Sequence, residues 1–113
     1  MPVYTFDKLP QEYVTPKYST GKGGSITASK IEVSLLSYAP GTGAVAHQHP
    51  QEQIMVVVRG KLRLRSGDTD VILGPMEGFV MDSNVLHQVT VEGDEELVVF
   101  SCKNLVDGKG HKI

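Results

Sequence analysis

Residues 41–60 run Gly-Thr-Gly-Ala-Val-Ala-His-Gln-His-Pro-Gln-Glu-Gln-Ile-Met-Val-Val-Val-Arg-Gly, and the rest of the chain is read from this stretch. Two of the four histidines, His47 and His49, lie in it one residue apart. In an extended strand, side chains at i and i+2 leave the same face, so the two imidazoles aim at one point. Imidazole is the commonest metal ligand. Pro50 ends that strand, because proline cannot donate to a ladder. Gln53 then opens a second run, Ile54 to Val58, closed by Arg59-Gly60. A continuous, β-branched apolar run of that length predicts a buried strand.

Working outward, the same strand signals recur. Ile26-Thr27-Ala28 and Ile31 to Tyr38 precede the stretch, and Lys61 to Arg65, Val71 to Leu73, Gly78 to Met81, Val85 to Glu92 and Leu97 to Ser101 follow it. Turn residues separate them: Ala39-Pro40-Gly41, Ser66-Gly67-Asp68, Gly74-Pro75 and Gly93-Asp94. Short alternating runs between such turns, with almost no helical period, predict an all-β barrel or sandwich. Residues 1–24 are expected to be an N-terminal arm, with Val3 to Phe6 a short strand and Asp7 to Glu12 at most one helical turn. The barrel is expected over 25–103 and a polar tail over 104–113, mobile or packed on a partner subunit. The glycine-rich Ser19 to Ser25 lacks the following helix that a phosphate cradle needs and is expected to be a flexible turn.

Composition narrows the function classes. At 113 residues, 40% apolar and 21% charged, the chain has room for one core. A formal charge of −2 leaves no basic footprint for nucleic acid or anionic lipid. No apolar run approaches the roughly 18 residues of a membrane span, and the start has neither a basic nor an apolar signal segment. A single cysteine, Cys102, excludes an intrachain disulfide framework. These features predict a cytoplasmic protein that binds neither nucleic acid nor a membrane.

Gly41, five residues, His47-Gln48-His49, then Gln53 and Gly60 resemble the first motif of the cupins, with Gln53 where the common pattern has glutamate. Residues 61–75 form the spacer, and His87 stands where the second motif supplies a third histidine. Met76, Asp82, Asn84 and Val91 replace that motif's usual glycine, proline, glycine and asparagine. Asn84 is a mild change, since asparagine tolerates the left-handed conformation. The resemblance covers about residues 25–101 and implies a double-stranded β-helix, or jelly-roll, barrel. It also implies that His47, His49, Gln53 and His87 hold one divalent transition metal ion. Imidazole suits Zn, Cu, Fe and Ni, and the amide oxygen leaves room for Mn. Four neutral donors would leave the ion's charge uncancelled, which strengthens a Lewis acid and favours an anionic or oxygen-rich ligand.

His49-Pro50-Gln51-Glu52-Gln53 and the later histidine are similar to the small cupins that open unsaturated monouronates in pectin and alginate breakdown. Phe100-Ser101 is kept, while Val98 and Asn104 stand where those cupins carry an Asp and an Arg. The resemblance implies an isomerase or lyase acting on a small carboxylated or hydroxylated compound, such as a sugar acid. The same ligand set is similar to the manganese-dependent hydroxynitrile lyases, in which a further histidine moves a proton; no such histidine lies near the site in sequence. Dioxygenase chemistry, with Glu52 swinging in as a carboxylate ligand, and a non-enzymatic ligand-binding cupin are the other readings. Among remaining candidates, Arg59, Arg63 and Arg65 are expected on a solvated strand face, and Met55, Met76, Met81 and Phe79 in the core. Cys102 is not expected to act as a nucleophile, and His111 is expected at the surface. Similar cupins pair, so a homodimer is expected.

Overall fold

The computed structural model describes residues 1–112. Ten strands follow one another: β1 (Glu12–Tyr13), β2 (Lys22–Thr27), β3 (Ile31–Tyr38), β4 (Gly43–His47), β5 (Gln53–Arg59), β6 (Lys61–Ser66), β7 (Thr69–Leu73), β8 (Gly78–Met81), β9 (His87–Glu92) and β10 (Leu97–Asn104). A 3-10 turn at Phe6–Lys8 is the only helical element among the described residues. The strands form two sheets, ordered β1-β2-β3-β10-β5-β8 and β4-β9-β6-β7, with every named pair antiparallel. This is the all-β barrel that the turn spacing predicts, in the jelly-roll arrangement that the cupin resemblance implies.

Period-2 alternation sets which side of each strand is buried. In β10, Leu97, Val99, Ser101 and Lys103 point inward, and in β3 Glu32, Ser34, Leu36 and Tyr38 do so. The apolar core gathers Leu36, Val57, Leu62, Leu64, Val89, Leu97 and Val99 with their neighbours. Gly60 turns β5 into β6 at φ 82, and a Cβ there would lie 2.6 Å from the carbonyl oxygen of Glu96. Both reasons require glycine. Asn84 takes the left-handed conformation of the glycine it replaces, at φ 61, and so does Met76, at φ 68.

Three local expectations are corrected. The glycine-rich stretch is not a flexible turn: Lys22 to Thr27 is a full strand paired along β3. Glycine is needed there because Gly23 lies against the Leu35 backbone, so closely that a Cβ would overlap the carbonyl oxygen. Val3 to Phe6 forms no strand; the chain turns at Phe6, whose ring meets Phe100 edge-on at 5.6 Å between centroids. The tail packs on its own chain through Leu105 N–H to the Lys30 carbonyl and Gln51 Nε2 to the Lys109 carbonyl, both 2.8 Å. Lys112 also pairs with Glu12 at 2.7 Å. Ile113, the end of that tail, lies outside the described residues.

Candidate metal centre

The two sheets bring the histidines together where β4 ends and β9 begins. His47 and His87 are register partners across β4 and β9, and His49 follows in the loop before β5. Ring centroids are 4.5 Å apart for His47 and His87, 5.0 Å for His49 and His87, and 5.6 Å for His47 and His49. One potential ligand atom from each lies within 4.8 Å of the others.

Each ring is oriented by its other nitrogen. The Nδ1–H of His47 donates to the Val45 carbonyl at 2.7 Å, that of His49 to Gln51 at 2.9 Å, and that of His87 to Val85 at 2.9 Å. Three carbonyls thus select one tautomer and leave three Nε2 lone pairs available, the arrangement that orients metal-bound imidazoles. Burial pushes the pKa of all three rings down, that of His49 to about 4, with the charge of Lys103 acting in the same direction. The rings are therefore neutral and able to coordinate at neutral pH. His49 Nε2 is buried with no hydrogen-bond partner. An orphaned imidazole lone pair is costly to bury, and a cation shared with two neighbouring imidazoles removes the cost. The residues fit a divalent ion.

Gln53 is buried at the start of β5 and lines the same cavity as His47 and His87, a small space of about 20 Å³, the room of about one water or one ion. Its Nε2 donates to Ser101 Oγ at 2.8 Å, which leaves the amide oxygen as the free donor atom. Ser101 in turn meets His111 Nε2 at 2.7 Å, and His111 Nδ1 meets Glu32 Oε1 at 2.7 Å. The His111 bond holds the Glu32 carboxyl down at about 2, while burial lowers the pKa of His111. A neutral His111 that donates Nδ1–H to the Glu32 carboxylate and accepts the Ser101 hydroxyl satisfies every partner. Ser101 has no exposed surface, so this serine–histidine–acid sequence orients Gln53 rather than attacking a ligand.

His111 is thus not a surface residue. It is 1% exposed and lines the cavity, drawn in by the tail, and its nitrogens are both already bonded. Three further residues were not singled out from sequence. Lys103 lines the cavity, Tyr18 stacks on His47 with centroids 5.5 Å apart, and Thr15 contributes to the lining from the N-terminal segment. Glu52 does not join the cluster: its backbone N–H is bound to Asn104 Oδ1, and the close group contains the three histidines alone among the described residues. Arg63 forms two 2.8 Å bonds to Asp70, Arg65 lies 3.7 Å from Asp70, and Arg59 pairs with Glu95, all away from the cavity lining. Met55 and Met81 are core, as expected; Met76 is 86% exposed, contrary to expectation, because its left-handed turn projects it outward.

A β-barrel of two antiparallel sheets defines a class, the double-stranded β-helix proteins, and at one end of this one three imidazoles stand close enough together to hold a metal ion. The Cupin_2 family, a cupin domain, matches residues 34–103, and the chain belongs to it. It is 35% identical over 77 residues to a Bacillus subtilis protein named H2HPP isomerase, a match that takes in 66% of this chain. The chain spans about a third of that relative's length, 33%. A RmlC-like cupin from Shewanella frigidimarina superposes with a TM-score of 0.78 at 13% identity, over 94% of this chain and 93% of that one. A cupin-like protein from Thermotoga maritima gives 0.74 at 22% identity, over 96% and 85%. At those identities the likeness is one of fold. No described helix is long and apolar enough to cross a membrane.

Proposed function

We propose that this chain is a metal-dependent isomerase or lyase acting on a small carboxylated or hydroxylated compound, a sugar acid being one such compound. His47, His49 and His87, with the Gln53 amide oxygen, would hold the ion. The observation that carries this is the set of three convergent Nε2 atoms, each fixed by an Nδ1–H bond to a carbonyl and one of them buried without a partner. The similarity to a protein named as an isomerase supports the reaction class.

A bound dication supplies Lewis acidity, stabilising negative charge on a ligand oxygen. The chain supplies the rest. The carbonyls of Val45, Gln51 and Val85 keep the imidazoles neutral and aimed, while Ser101, held by His111, turns the Gln53 amide. Met55, Phe79 and Leu36 keep the surrounding wall apolar, which strengthens electrostatic interactions inside. The reading includes a cytoplasmic homodimer. Its support is the outer face of the longer sheet, where Ile54 and Val80 are cross-strand partners, 49% and 60% exposed. A light-scattering mass of 12.3 kDa, that of one chain, would remove the dimer from it.

The test is incubation of the metal-loaded protein with unsaturated uronates, cyanohydrins and 2-oxo acids, followed by NMR and an oxygen electrode. A metal-dependent new carbonyl or shifted double bond without oxygen uptake is expected. Oxygen depletion would convert the reading to an oxygenase, and ligand recovered unchanged throughout would convert it to a binding protein.

A further inference from the structure

The cavity beside the histidines is lined by a lysine and by no acid. Lys103 points inward from β10 and is 6% exposed, between Glu32 of β3 and Gln53 of β5 in the register of the sheet. It has no hydrogen bond or ion pair to any described residue. Glu32, its cross-strand neighbour, is already occupied: Oε1 accepts from the backbone N–H and Nδ1–H of His111, both at 2.7 Å, and Oε2 accepts from Thr27 Oγ1 at 2.6 Å. No Asp or Glu is among the lining residues. Lysine is almost never buried without a partner, because an uncompensated charge in a low-dielectric interior is costly.

We propose that Lys103 is the anion anchor of this cavity, so that the compound accepted there is a small carboxylate bound between the Lys103 ammonium and the His47–His49–His87 cluster. This rests on the reading of the cluster as a metal centre, and narrows its substrate class from carboxylated or hydroxylated compounds to carboxylates. The charge balance supports it. Three imidazoles and an amide bring no negative charge to a dication, and the one nearby carboxylate, Glu32, bonded to a neutral His111, offsets no more than the Lys103 charge. An anionic ligand supplies the missing counter-charge.

The experiment is calorimetric titration of oxalate and pyruvate, with neutral pyruvamide as control, into wild type, Lys103→Met and Lys103→Gln. Each protein is prepared metal-loaded and chelator-treated, and metal content is measured on the same samples. Carboxylate affinity is expected to fall at least tenfold in both variants at unchanged metal content, with pyruvamide shifted less than twofold. Lys103→Met should also melt above wild type without ligand, because it removes a buried charge that no described residue bonds; a lysine with a purely structural role would give the opposite shift. Equal carboxylate affinity in wild type and variants, no carboxylate binding to wild type, or an equal loss for pyruvamide would overturn the proposal. Wild type that takes up no metal defeats the metal reading alone, and lysine-dependent oxalate binding in chelator-treated protein would still uphold the anchor.

Discussion

The two ends of the barrel interior share one backbone ladder and hold opposite chemistry. At one end, Leu36, Val99 and Val57 face one another across β3, β10 and β5, with Leu97 opposite Tyr38 on the next inward rung. Two rungs the other way, the same strands present Glu32, Lys103 and Gln53, with Ser34 and Ser101 between. An inward step of two residues is only ~7 Å. The apolar end stabilises the barrel through burial. At the polar end every donor and acceptor must find a partner, and the partners form a chain from Thr27 through Glu32, His111 and Ser101 to Gln53. His49 Nε2, buried without a partner beside the other two imidazoles, and Lys103, which lines the cavity, stand outside that chain, and both mark a place for something the chain does not itself supply.

The sharpest contrast comes from removing one residue at each end. Leu97→Ala, at a site 1% exposed, should cost about 2–5 kcal/mol in urea denaturation and leave metal stoichiometry unchanged. Loss of metal in parallel with stability would mean that the ends are not separable. At the polar end, Glu32→Gln removes a carboxylate acceptor from His111 and should cost about 1–3 kcal/mol at neutral pH. It should also change the acid limb. The Glu32 pKa is lowered on folding from 4.5 to about 2, so its contribution is present above pH 4.5 and lost as pH falls towards 2. Melting temperature against pH should therefore fall less steeply in the variant across that window; an unchanged slope would show that Glu32 is not ionised in the fold. The smallest effect lies outside both ends. Met76→Gly relieves a left-handed side chain and should stabilise the protein by about 1 kcal/mol without altering metal binding.

The same contrast explains what sequence could reveal. The strands, the barrel and the shared face of His47 and His49 were legible, because alternation and a two-residue spacing are local signals; His87 joined them only through the resemblance to the cupin motifs. Glu32, Lys103 and His111 were not, since they meet only when β3 pairs with β10 and the tail folds back. Lys103 left a readable trace, standing at the inward parity of Leu97, Val99 and Ser101. For Glu32 no such trace existed: Ile31, Val33 and Leu35 make the other face of β3 as apolar as its own. His111 had only glycines and lysines around it, and its burial follows from Gly110, where a Cβ would lie 2.8 Å from Glu32 Oε1. The stretch at 22–27 misled because glycine signals freedom in sequence, whereas here it allows two backbones to touch.

The central claim is that the polar end is assembled around a cation. Crystals grown from untagged, metal-supplemented protein, measured at the absorption edge of the added metal, test it directly. An anomalous peak about 2.0–2.2 Å from the Nε2 atoms of His47, His49 and His87, with the Gln53 oxygen also directed at it, is the predicted result. A map with no peak among the three rings, or with the metal held elsewhere while His49 Nε2 stays bare, would contradict it.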